Sequence, residues 1–349
     1  MITGSIKEKF WNIFTSKEEY ISDLSDQYGR FNYSFSKNRE VFSPVVSEFI
    51  FKNGFRPQYP GNADFAVVFS HDVDLIFRNK KIFPGRFQRI ALMLKGQQKQ
   101  PFERIIPKEW DLNNMIEMEM KNKFISTFFF MALAEGDQDY NYEVNEVGNT
   151  IQNLLNSGCE IGLHGGHKAY NNIENNLLEK RRLNLVLPTE VKGYRNHYLR
   201  FDIQKTFSIL LKNGFDYDST FGYADCVGFR NGMCYPFQPF DLNRNEFIDI
   251  IEVPLVVMDV SMFYYMSLSS FQAFQICQRL TEEVKKVNGV LTVLLHNSNF
   301  DNKMLDFYNK FVDYIKCENA WFTTTGNLVD WWKGKEYHLQ INDIVLQLK

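Results

Sequence analysis

Asp64-Phe65-Ala66-Val67-Val68-Phe69-Ser70-His71-Asp72-Val73-Asp74 begins as an apolar run and closes on two carboxylates spaced two apart. Side chains of an extended chain alternate between its faces, so Asp72 and Asp74 point the same way and can share one cavity. One can then hold a cation while the other takes a proton. Taken alone, the pair reads equally as caps of a turn or of a following helix.

Three further segments place polar chemistry at the end of a short apolar run. They are Gly162-Leu163-His164-Gly165-Gly166-His167, Gly193-Tyr194-Arg195-Asn196-His197-Tyr198-Leu199-Arg200 and Val290-Leu291-Thr292-Val293-Leu294-Leu295-His296-Asn297. Five of the six histidines (His71, His164, His167, His197, His296) fall in the four segments, and only His338 lies in the charged tail. Imidazole and carboxylate together suit zinc, iron, cobalt or nickel with one position open to solvent. A guanidinium at Arg195 is placed to orient a carboxylate such as Asp72. Singly, these residues read as surface histidines, a surface ion pair and a structural histidine; their recurrence at the same end of successive runs points to one site.

Around these segments, β-branched and aromatic runs alternate with longer amphipathic stretches, the pattern of repeated βα units. Strands are expected at 65–70, 124–131, 160–164, 191–195, 217–220, 248–256, 291–296 and 321–325, and helices at 143–157 and 271–287. Seven or eight strands make a parallel barrel, whose catalytic groups project from the strands' carboxyl ends. Long insertions at 83–113 and 223–245 are expected to build the substrate pocket. Residues 1–60 read as a short helical extension or cap ending at the turn-rich Arg56-Pro57-Gln58-Tyr59-Pro60-Gly61-Asn62, residues 61–335 as the barrel, and 336–349 as a tail. Ile6, Phe10, Ile13 and Phe14 form an apolar stripe expected to dock on the body.

Bulk properties narrow the function. The chain has 349 residues, 44% hydrophobic, with a net charge of -3 and its charges interspersed. That balance offers no field suited to nucleic acid or an anionic membrane, so a neutral or small charged substrate is expected. Five cysteines without a C-x-x-C spacing argue against both a disulfide framework and a thiolate zinc site. Neither a secretory signal nor an apolar run of membrane-spanning length is present, and a cytoplasmic location is expected.

The ordered set of carboxylates, histidines, arginine and histidine resembles the polysaccharide deacetylases over roughly residues 60 to 330. That resemblance implies an α/β fold, a distorted (β/α) barrel of seven to eight strands, and metal-dependent removal of an N-acetyl group from an amino sugar or glycan intermediate. The family's T-F-D-D strand end is matched by Ser70-His71-Asp72-Val73-Asp74 with one residue inserted, which makes Asp72 the base and Asp74 a metal ligand. In the family's H-[ST]-x-x-H pattern, His164 takes the first position and Lys168 the second. The third ligand is then His167, one residue early, or His197, which stands where the family's R-x-P pattern has proline; His167 ranks first. Arg195 corresponds to the arginine that holds the base, Tyr198 to the residue whose backbone amide binds the oxyanion, and His296 to the general acid.

Tyr217-Asp218-Ser219-Thr220, Gly228-Phe229-Arg230-Asn231-Gly232 and Glu252-Val253-Pro254 are similar to segments of deacetylases from cell-surface polysaccharide gene clusters. Arg230 and Asp218 are accordingly expected to bind substrate, with a structural salt bridge and a turn cap as their alternatives. Zinc is the first expectation for the metal, then cobalt, nickel or iron. The implied partner is an acetylated amino sugar or oligosaccharide, and oligomeric state is left open. Two other readings keep the fold: a metal-free relative that binds glycans or protein partners, and a metal hydrolase of another ester or amide.

Overall fold

A computed structural model describes residues 4–76, 112–299 and 302–349. Its main sheet comprises β1 (Phe65–Val73), β2 (Thr127–Met131), β3 (Glu160–Gly165), β4 (Gly193–Asn196), β5 (Tyr217–Asp218), β6 (Ile251–Glu252), β7 (Val257–Met258), β8 (Val290–His296) and β9 (Ala320–Phe322). Every pairing is parallel, in the order β6-β5-β4-β3-β2-β1-β8-β7, with β9 beside the start of β1. Helices pack around it, as the βα pattern requires.

A single strand is expected at 248–256; two short ones form instead, separated by Val253 to Val256. Pro254 has no N–H to give a ladder, so the strand breaks there. The break brings the two edges of the curled sheet together. β6 and β7 are the two edges of the sheet, and the five steps from Glu252 to Val257 span at most about 17 Å. The edges therefore approach one another, and the crossing is pinned by Val253 N–H donating to the Asp218 carbonyl (2.9 Å) and Val256 N–H to Thr292 Oγ1 (2.8 Å).

Alternation along β1 divides its side chains between two environments. Phe69 packs on Phe124 (5.0 Å between ring centroids) and Phe311 (6.3 Å), and His71 reaches Glu119 of helix Leu112–Asn122, all in the outer layer. Ser70 and Asp72 turn to the other side, where both meet Arg195. His71, although it stands in the carboxylate segment, is thereby excluded from the site.

Helix Gly4–Phe14 docks on the body as expected, but its most buried residues are Trp11, edge-on to Phe240 (4.9 Å), and Phe14, tilted against Phe237 (5.5 Å). Ile6 is exposed. The chain then crosses the carboxyl end of the barrel, where the Asp225 carboxylate accepts from Tyr33 N–H (2.7 Å) and Ser34 N–H (3.0 Å). Glu19 ends this strap in a buried ion pair with Arg230, with Nε–Oε1 at 3.0 Å and Nη2–Oε2 at 2.5 Å.

Residues 223–245 do not build the substrate pocket. They carry Tyr223, Phe229, Met233 and Tyr235 into the core and end in the antiparallel pair Phe240–Asp241 and Glu246–Phe247. The insertion at 83–113 lies outside the described residues except for its last two positions, which open helix Leu112–Asn122.

Arg230→Met leaves the Glu19 carboxylate buried without its cation, and losing one partner of such a pair costs about 3–5 kcal/mol. Urea unfolding is expected to show a loss of that order, partly recovered in Glu19→Gln/Arg230→Met. A change of only a few tenths of a kcal/mol contradicts the pairing.

Candidate metal centre

β1, β2, β3 and β4 end side by side, with Met131 of β2 opposite His164 of β3 and His164 opposite Arg195 of β4. Just past these ends, Asp74, His164 and His197 bring one donor atom each to a common point. His164 Nε2 lies 3.2 Å from Asp74 Oδ1 and 3.2 Å from His197 Nδ1, and the last two atoms are 3.5 Å apart. Donors each about 2.1 Å from one ion lie about 3.0 Å apart at a right angle and about 3.4 Å apart at a tetrahedral angle. The observed triangle fits that spacing.

The hydrogen bonds behind the rings fix which nitrogen faces inward. His164 Nδ1 sits 3.2 Å from the Arg195 carbonyl, to which only an N–H can donate, so Nε2 carries the lone pair. His197 Nε2 faces the Asp139 carboxylate at 3.5 Å, which leaves Nδ1 free to ligate. Asp74 Oδ1 is buried, and among the described residues it faces only the His164 and His197 nitrogens of the triangle. A proton can match one pair of these three atoms at a time, whereas a divalent cation matches all three. Burial works against the Asp74 charge, but His197, His164 and His296 outweigh it and hold the carboxyl far below its usual range.

Two polar pairs flank the triangle. On one side Arg195, itself buried over the Phe129 ring, places Nη1 3.2 Å from Asp72 Oδ1 and 2.8 Å from Ser70 Oγ. Nε and Nη2 each donate to Ser219, whose carbonyl and hydroxyl accept at 2.9 Å, so swinging the guanidinium breaks both bonds. Asp72 Oδ2 is thereby held 3.7 Å from His164 Nε2 and 3.9 Å from His296 Nε2. On the other side, Asp259 Oδ1 holds His296 Nδ1 at 2.6 Å, and Asp259 Oδ2 accepts from the His296 N–H at 2.8 Å. Burial lowers the His296 pKa, but Asp259, with Asp74 and Asp72, pushes it up to about 10. A cavity of about 440 Å³ opens above, with Asp72, Asp74, His197 and His296 on its floor and Tyr28, Arg30, Tyr198 and Phe263 to Tyr265 in its walls.

The expected site residues separate into those the fold gathers and those it does not. Asp72, Asp74, His164, Arg195, His197 and His296 meet here, and Tyr198 lines the cavity. His167 stands outside the donor triangle: its ring packs edge-on to Tyr198, and its carbonyl accepts from Arg200 Nη1. β3 runs through Gly165, and the Glu179 carboxylate then captures the Gly166 N–H at 2.7 Å, turning the chain before His167 can face the ion point. A Cβ at Gly165 would sit 2.1 Å from Tyr194 Oη, so only glycine passes there. His197, from the adjacent strand end, occupies the place instead.

Arg230 and Asp218 also lie elsewhere. Arg230 is bound to Glu19 and the Gly222 carbonyl, and Asp218 is fully buried beneath the site. Burial raises the pKa of Asp218 and, together with Asp218, that of Glu252, its register partner across β5 and β6.

Asp139 and Asp259 were not among the expected residues. Asp259 carried a legible signal, since Val256-Val257-Met258-Asp259 repeats the apolar run closed by a carboxylate seen in β1. Asp139 sits in a turn-rich stretch without any such mark.

No protein-family model matches the sequence, and no curated protein matches it. Solved structures match the fold. One from Mycobacterium smegmatis, provisionally designated a polysaccharide deacetylase, superposes with a TM-score of 0.56 at 16% identity, covering 80% of this chain and 94% of its own. Another of the same provisional designation, from Pseudomonas aeruginosa PAO1, gives 0.57 at 15% identity over 81% and 96%. The chain has the polysaccharide deacetylase fold.

His197→Ala is expected to weaken zinc binding, read by isothermal titration, by more than the roughly 10–100-fold typical of losing an outer partner, and Asp139→Asn by about that amount. His167→Ala should bind as the unaltered protein does. The reverse ranking of the two histidines contradicts the triangle.

Proposed function

We propose that the protein is a metal-dependent hydrolase that removes the acetyl group from an N-acetylated amino sugar or short glycan intermediate. The observation that carries this reading is the donor triangle of Asp74, His164 and His197 set between a braced carboxylate, Asp72, and a histidine held by a carboxylate, His296. Two imidazoles and one carboxylate suit zinc first, and leave positions open for solvent and substrate. The tyrosine-rich walls of the cavity offer flat apolar faces with polar edges, suited to a sugar ring.

A bound divalent cation supplies polarisation of the acyl carbonyl and a water of lowered pKa. Asp72, fixed by Arg195, takes the proton from the attacking water as general base. The backbone N–H at Tyr198 faces the developing oxyanion; one such donor contributes about 3–4 kcal/mol in comparable sites. His296, whose Nδ1–H is held by Asp259, gives its Nε2 proton to the leaving amine. That role needs a histidine still protonated at neutral pH, which the Asp259 contact provides.

Acetate release from N-acetylglucosamine oligomers tests the reaction. It is expected with the zinc-loaded protein and lost after chelation; absence of release from these and other acetylated amino sugars contradicts the reading. Asp72→Asn should retain the metal and lose turnover by at least about 100-fold, the lower range for a positioned proton-transfer group; full turnover in this variant removes Asp72 as base.

A second outcome concerns pH. Asp259→Asn removes the charge that raises the His296 pKa, so the histidine loses its proton at lower pH and the alkaline limb of kcat/KM moves down. A limb that stays in place contradicts His296 as the acid.

A further inference from the structure

The strap that crosses the barrel mouth carries a side chain that is bound to the oxyanion loop and not to solvent. Asp26 organises the hook from which it projects: its carboxylate accepts from the Tyr28 N–H (2.8 Å), the Arg30 N–H (3.0 Å) and Asn32 Nδ2 (3.1 Å). It also holds the Arg30 guanidinium, with Nε–Oδ2 at 2.8 Å and Nη2–Oδ2 at 2.7 Å. Arg30 is buried, and it spends its outer N–H groups across the mouth: Nη1 donates to the Tyr198 carbonyl (3.0 Å) and Nη2 to the Tyr265 hydroxyl (2.8 Å). Tyr28, beneath the same guanidinium at 4.7 Å, stacks on the Tyr198 ring at 4.7 Å and 20°.

The peptide that Arg30 grips is unusual. Tyr198 (φ 61°, ψ 11°) and Leu199 (φ 52°) both occupy the left-handed region, which disfavours residues bearing a Cβ. Two such residues in succession persist only where their surroundings over-determine them. Here the strap supplies part of those surroundings, beside the apolar cluster around Leu199 and the His197 ring. A planar trans peptide fixes its N–H once its carbonyl is fixed, and no peptide bond among the described residues is cis. Holding the Tyr198 carbonyl therefore sets the orientation of the Tyr198–Leu199 peptide plane and its Leu199 N–H, and restrains from one side the Tyr198 residue that follows the candidate ligand His197.

We propose that Arg30 is a positioning residue for the reaction: through the Tyr198 carbonyl it holds the backbone beside His197 in the conformation that presents amides to the oxyanion, and through Tyr265 it ties that loop to the wall that follows Asp259. The strap is thereby part of the working site. This rests on the hydrolase reading above. The effect is expected on the transition state and not on substrate binding, because each Arg30 nitrogen is already held by a protein group.

Arg30→Ala, Arg30→Lys and the unaltered protein, all zinc-loaded, are compared by two measurements. Hydrolysis of p-nitrophenyl acetate reads the chemistry, and amide hydrogen exchange of the peptide spanning 195–201 reads the clamp. Arg30→Ala is expected to lose kcat by about 100-fold, the cost of one misplaced oxyanion donor, with KM within about twofold, zinc content unchanged and exchange of that peptide accelerated. Added guanidinium ion should restore part of kcat, and Arg30→Lys should fall between the two. Should Arg30→Ala not fold, the Arg30→Lys comparison decides by the same criteria.

An active parent with wild-type kcat in the variants, or unaltered exchange at 195–201, overturns the proposal and leaves the hydrolase reading standing. A parent inactive towards acetylated substrates sinks the hydrolase reading and the positioning role with it, even where exchange responds. A rise in KM at constant kcat overturns the positioning role in favour of substrate contact.

Discussion

Two imidazole lone pairs and a carboxylate oxygen meet within 3.5 Å of one another, and the arrangement around them makes sense only as a device for bringing them together. Each donor is aimed from behind: His164 by the Arg195 carbonyl, His197 by Asp139, and Asp74 by its place two residues beyond Asp72. The divalent cation proposed above would satisfy all three donors at once, where a proton matches one pair at a time. The parallel sheet supplies the frame, since neighbouring strands place their ends side by side and the period of two sends alternate residues into the same space.

The same alternation determines which chemistry flanks the triangle. Asp72 and His296 are register partners on β1 and β8, so the proposed base and acid stand on adjacent strands with the donor triangle beside them. Arg195 fixes one and Asp259 the other. Each brace is itself held by other contacts, Arg195 on Ser70 and Ser219, Asp259 on the His296 and Val260 backbones, so neither partner can rotate away without losing buried hydrogen bonds. The N-terminal strap extends this bracing to the Tyr198 loop.

Much of this was legible in the sequence because it depends on local rules. Apolar runs ending in Asp72, His164, Arg195 and His296 mark strands and their carboxyl ends, and the barrel follows from repeating that unit. The choice of His197 over His167 was not, because it turns on where the chain bends after Gly165, and the Glu179 contact that bends it comes from a helix 13 residues further on. Pro254 split a run that reads as one strand, which concealed Asp259 behind two residues of β7. Arg230 and Asp218 were placed in the site on resemblance, and the fold assigns them to a buried ion pair and a carboxyl pair. Arg30 acts on a peptide 168 positions away, a distance at which no local pattern carries information.

The central claim, one cation held by Asp74, His164 and His197, is tested most directly by anomalous diffraction at the zinc edge from zinc-loaded crystals. A single peak about 2.0–2.2 Å from Asp74 Oδ1, His164 Nε2 and His197 Nδ1 is the result the account predicts. A peak centred on His167, or zinc-loaded crystals with no peak at the barrel mouth, contradicts it.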